Sequence, residues 1–176
     1  YHNGGSGQVL LGVYADAGGS PGARIGVTPS TTVNAAAGWQ KIILSRPVGV
    51  TSGQKVWLAW VFQTNPGIRD ISGTPARAES PQLWAGGMPD PFGTAFFANY
   101  KYSLYCTYST GTAPSTKTLG ITEVYSLSST TANRRAQTIT FTEPGIIQSI
   151  SIYHNGGTGR VLLGVYNHFA GSPAAP

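Results

Sequence analysis

The sequence predicts an all-β fold: a two-sheet antiparallel β-sandwich, jelly-roll-like, whose ends are permuted or exchanged between subunits. Three observations carry this. Apolar residues recur with a period of two almost everywhere, and no stretch shows a helical period. Turn formers interrupt the alternation at short intervals, in NGGSG, DAGGSPG, TSG, EPG and NGGTG, where Gly and Pro supply turn dihedrals at low steric cost. Finally, YHNGGSGQVLLGVY at residues 1–14 returns as YHNGGTGRVLLGVY at residues 153–166.

In chain order, strands are expected over 8–14 and 23–28, either side of the DAGGSPG turn, and over 39–46. The run 54–63, QKVWLAWVFQ, is apolar on both faces. Val56, Leu58, Trp60 and Phe62 share one, and Trp57, Ala59 and Val61 the other, so it reads as a central or covered strand. Tyr100, Tyr102, Leu104, Cys106 and Tyr108 alternate with Lys101, Ser103, Tyr105 and Thr107, a strand with one face on a core and one largely in water. Strands over 119–127, 136–142 and 146–153 complete a set sufficient for a jelly roll or a related sandwich.

Length and composition bound the function. A chain of 176 residues has room for one domain and buries roughly two thirds of its unfolded surface. Charged residues make up only 10%, and the net charge of +5 reflects scarce acids more than plentiful bases. The basic residues are scattered singly apart from Arg134-Arg135, which argues against a nucleic-acid partner. Cys106 is the only cysteine; its alternating neighbours make it an inert core thiol, and no disulfide closes within the chain. No signal peptide, initiator Met or membrane-spanning apolar run occurs, so the chain reads as a mature or excised segment without membrane insertion. Low charge and Ser/Thr-rich strands point to an extracellular or cell-surface location, without support for N-glycosylation because no Asn-x-Ser/Thr acceptor is present.

Tyr1 and Tyr153 stand 152 residues apart, a whole domain, so the repeat means beads in tandem or one bead cut open. Residues 1–108 form the main part of a sandwich, 109–117 (STGTAPSTK) a Ser/Thr/Pro linker, and 118–176 the strands that complete a sandwich, its own or a neighbour's. Two closures follow. The trailing strands fold back on their own chain, a circular permutation within reach of the linker at roughly 30 Å, and the second VLLGVY is then left without a slot. Alternatively they complete the next subunit, so that chains join head to tail, an open contact that makes filaments. The assembly residues are Val124, Ile139, Phe141, Ile146, Ile150 and Ile152. Each contributes about 1.5–3 kcal/mol when fully buried, on the order of 10 kcal/mol for the set as an upper bound.

The runs VLLGVYADAGGSPGARIGVT, AGWQKIIL, PVGVTSGQKVWLAWVF and YKYSLYCTY resemble the β-sandwich repeat modules of bacterial secreted and surface proteins, similar to carbohydrate-binding-module jelly rolls. The resemblance covers most of the chain once residues 119–153 are moved to the front. It implies a fold and a setting beside carbohydrate-active or adhesive domains, and assigns no catalytic residue. The chain departs from it in its permuted boundaries and at residues 167–176, where His168 replaces the counterpart of Asp16.

Catalytic chemistry finds little footing. The acids Asp16, Asp70, Glu79, Asp90, Glu123 and Glu143 form no close sequence pair of the kind glycoside hydrolysis needs, and no nucleophile motif appears. GGSPG lacks the Lys-Ser/Thr of a phosphate loop, and His2, His154 and His168 have no Cys or acid cluster beside them, so neither cofactor nor metal is expected. The run 64–99 reads as a long loop, and such loops are often binding loops. It carries Trp84 with Arg69, Asp70, Arg77, Asp90 and Phe92. This set fits stacking and planar hydrogen bonding to a polysaccharide, or a subunit contact, or a loop pinned over one end of the sandwich by Trp84, Met88 and Phe92. Trp39 and Trp57 read as packing residues. The expectation is a non-catalytic extracellular structural protein whose copies join head to tail by strand exchange into a filament or surface array. The alternative is a carbohydrate-binding module of a secreted or cell-surface protein.

Overall fold

The computed structural model of the protein describes residues 2–110, 116–129, 133–154 and 157–167, and its regular structure is almost entirely strand. In chain order these are β1 (His2–Asn3), β2 (Gly5–Asp16), β3 (Pro21–Val27), β4 (Thr31–Thr32), β5 (Ala37–Val50), β6 (Lys55–Phe62) and β7 (Ile68–Ser80). A single 3-10 turn at Trp84–Gly86 precedes β8 (Phe96–Tyr102), β9 (Leu104–Ser109), β10 (Thr116–Gly120), β11 (Leu127–Ser129), β12 (Arg134–Thr140), β13 (Gly145–His154) and β14 (Gly157–Asn167). They form two antiparallel sheets of four and eight strands, an all-β two-sheet sandwich and not a closed barrel. The smaller sheet runs β10-β9-β13-β5; the larger runs through β8, β7, β12 and β6 to β3 and β4, with β2 and β14 both registered between β6 and β3.

The alternating faces meet between the sheets. Val9, Leu11 and Val13 of β2 and Leu58, Trp60 and Phe62 of β6 pack against Ile42 and Leu44 of β5, Ile150 and Ile152 of β13, and Cys106 of β9. The second apolar face of β6 is covered as well. Trp57, Ala59 and Val61 lie under Met88 and Phe92, which the segment after β7 folds back over the outside of the larger sheet. Gly26 of β3 sits where the sheets approach closely, and a Cβ there would stand 2.6 Å from a Val48 methyl.

Three boundaries differ from the sequence reading. Much of 64–99 is strand: β7 pairs with β8 and β12, and its register against β8 shifts between Ser72 and Arg77. Gly73 and Pro75 lie in that bulge, and an extra-residue bulge with a residue lacking a donor breaks the two-residue period that marks a strand. The run 100–108 is two strands in different sheets. The chain changes layer at Ser103, whose amide donates to Arg69 O (3.0 Å) while its carbonyl accepts from Tyr153 N (2.7 Å). Strand 119–127 is replaced by β10, which ends at Gly120 with φ +123°, and by the short β11.

The Ser/Thr/Pro linker closes a hairpin, because Ser109 faces Thr116 and Tyr108 faces Lys117; residues 111–115 lie outside the described residues. β10, β12 and β13 take places in the sandwich of their own chain, with β13 between β5 and β9 and β12 between β6 and β7.

Candidate functional site

The duplicated segment defines the site. β2 lies between β3 and β6, with Gly12 opposite Val27 and Val9 opposite Phe62. β14 carries the same register against the same walls: Gly164 opposite Val27, Val161 opposite Phe62. Gln8 and Arg160 both face Thr32 of β4. The Thr28 amide donates to Leu11 O at 2.8 Å and lies 3.4 Å from Leu163 O, the equivalent atom of the other copy. Between themselves the copies run parallel in identity register, Val161 beside Val9 and Tyr166 beside Tyr14.

A strand edge carries a single row of hydrogen-bonding groups. The facing edges of β3 and β6 therefore bond one strand along any stretch, and two copies registered on both edges are alternative occupants of one slot. β14 continues from β13, whereas β2 leads into β3 through the turn closed by Ala17 N donating to Ser20 O at 2.6 Å.

The copies differ where β2 ends. Asp16 is buried; its carboxylate accepts the indole N–H of Trp57 at 2.7 Å and the Gly19 amide at 3.1 and 3.2 Å. Its counterpart, His168, lies outside the described residues. At the other end Gln8 accepts from Ser30 Oγ, where the second copy has Arg160.

The assembly residues are placed unequally. Phe141, Ile150 and Ile152 have no exposed surface and Ile139 is partly buried against the same core, whereas Ile146 is 43% exposed and Val124, outside any strand, 47%.

The glycan candidates fall into two groups. Phe92 is fully buried, edge-on to Tyr14 at 4.8 Å and beneath the Arg134 guanidinium at 4.6 Å. Trp84 is half-buried beside it, and exposed Asp90 accepts the Arg24 amide at 2.9 Å. Arg69, Asp70 and Arg77 instead lie on β7. Arg69 donates to Ser126 O at 2.8 Å, and Arg77 pairs with Glu79 at 2.5 Å and sits over Tyr100.

Sequence reasoning passed over the groups that tie these elements together. Arg134 is buried and donates to Ser80 Oγ, Phe92 O and Gly87 O at 2.8, 2.6 and 3.3 Å, which fastens the 81–95 cover to the sheet. Arg135 donates to Glu79 at 2.7 Å. Burial alone would raise the Glu79 carboxyl, but hydrogen bonds from Arg135 and Asn133 and the Arg135 and Arg77 charges bring it below its ordinary value. Burial pushes Asp70 up against the opposing charges of Arg135 and Arg77. The adjacent pair Arg134-Arg135 was the one visible signal, an unusual dipeptide in a chain poor in charge.

An open cleft of about 520 Å³ lies at the uncovered end of the outer face. Its lining includes Trp57, Lys55, Asp16, Pro75, the half-exposed Phe97 and Thr138, whose buried hydroxyl has no hydrogen-bond partner among the described residues. Compared with protein-family models, curated proteins and solved structures, the chain matches none.

Proposed function

We propose that the protein is a non-catalytic, extracellular or cell-surface structural unit whose copies join head to tail through the duplicated strand, building a filament or surface array. The observation that carries this is one slot with two copies in the same register against the same partners. Within a single sandwich one copy is always left over. Each chain therefore brings two copies to one slot, and its second copy can enter the slot of a neighbour in place of that neighbour's own β2. A leftover strand with an apolar face is a ready partner for an equivalent slot, which is the physics of strand donation.

Size-exclusion chromatography with light scattering, alongside electron microscopy of the purified protein, tests the reading. Filaments with an axial repeat near one unit are expected, and their loss on deleting residues 157–167. A stable monomer at micromolar concentration overturns it.

A second reading, as a carbohydrate-binding module resembling those of bacterial secreted proteins, draws on the outer cleft. There the exposed Phe97 ring offers a stacking face. Lys55 and Asp16 give the cleft one charge of each sign, which suits a neutral hydroxylated ring. Affinity electrophoresis in gels cast with neutral polysaccharide tests it; migration identical with and without polysaccharide sinks it.

A further inference from the structure

We infer that the Asp16–Trp57 hydrogen bond is the latch that decides which copy of the duplicated strand holds the slot, keeping β2 seated and leaving β14 for exchange with a second copy of this chain. The inference rests on the slot serving head-to-tail assembly and names what controls it.

The two copies are identical from VLLG through VY, so their core burial does not discriminate. Discrimination comes from the end of β2. With β2 in place, the indole N–H of Trp57, itself 3% exposed, finds a buried carboxylate at 2.7 Å, and the second oxygen of that carboxylate serves the Gly19 amide at 3.2 Å. Both bonds are charge-assisted, the stronger class. A strand that brings His at this position brings a ring with at most one acceptor nitrogen and no carboxylate charge, so the buried indole N–H meets at best a neutral acceptor in place of a charged one. Weakening the bond of a buried donor in this way disfavours that occupant by about tenfold. This difference favours β2. Exchange therefore requires the latch to open, and a unit whose Asp16 is engaged resists invasion by a neighbour's β14.

Thr32 lies opposite both Gln8 and Arg160, so two cysteine pairs report the occupant. Cys106 is buried and stays out of the oxidation. The full chain is made as Gln8→Cys/Thr32→Cys and as Arg160→Cys/Thr32→Cys, oxidised under native conditions and run without reductant. The first pair is expected to crosslink about tenfold more than the second. Adding Asp16→His, or Trp57→Phe, which removes the donor and leaves the turn untouched, raises the second yield about tenfold at the expense of the first. Asp16→Asn, which retains an oxygen for the indole but loses the charge, gives a second yield between those of the parent and Asp16→His. Equal yields in the parent, or a second yield indifferent to both Asp16→His and Trp57→Phe, overturn the latch. The gel separates the two readings. Crosslinks between chains run as a ladder and those within a chain as a monomer. Monomer bands that follow Asp16 keep the latch and refute the array; a ladder indifferent to Asp16 does the reverse.

Discussion

Ile150→Ala and Ile146→Ala change the same residue type on the same strand, and the structure assigns them very different costs. Ile150 has no exposed surface and packs in the core between the sheets, with β5 on one side of its strand and β9 on the other. Ile146 is 43% exposed near the start of the strand. Ile→Ala removes three carbons, worth about 2.4 kcal/mol of transfer free energy when all are buried. The cavity left in a close-packed core brings Ile150→Ala to about 3–4 kcal/mol. Ile146 loses roughly half the transfer term and opens no cavity, so about 1 kcal/mol is expected. Urea unfolding followed by tryptophan fluorescence reads the difference. With a slope near 2 kcal/mol/M, Ile150→Ala lowers the midpoint by about 1.5–2 M and Ile146→Ala by about 0.5 M. Midpoints independent of protein concentration show β13 seated in its own chain. Equal shifts for the two variants refute the placement of β13 between β5 and β9.

Three further outcomes follow from other groups. Burial raises Asp70 with Arg135 and Arg77 opposing, so the folded state holds that proton more firmly than the unfolded state. The linked stability is present below the ordinary carboxyl value and is lost as pH rises through the raised one. Asp70→Asn therefore melts above the parent at about pH 7, and the gap closes towards about pH 4; a gap constant across that range rules this out. Arg134→Met keeps the stem and removes the donations to Ser80, Phe92 and Gly87. It lowers stability by about 2 kcal/mol and speeds proteolysis between residues 81 and 95, whereas unchanged cleavage shows the cover is held otherwise. Cys106 is fully buried and burial pushes its thiol up, so a thiol reagent labels the native protein only at the rate of global unfolding. Fast labelling of folded protein contradicts the seating of β9.

Alternation of apolar side chains is a property of neighbouring residues, so it was legible in the sequence wherever strands run straight. β2, β5, β6, β12 and β13 overlap the expected segments, and the doubly apolar 54–63 run is covered on both faces. Where the backbone bulges or turns a corner, local pattern misleads. β7 was hidden by its bulge at Gly73 and Pro75, and the 100–108 strand conceals a change of sheet at Ser103. The duplicated YHNGG-VLLGVY segment by itself established that a strand type occurs twice, because repetition needs no fold to be seen. That both copies match one slot, that the linker closes a hairpin, and that Asp16 meets the Trp57 indole were decided only by tertiary structure. Each depends on residues far apart in the chain, and hydrogen-bonding edges and buried polar partners acquire identities only when such residues are brought face to face.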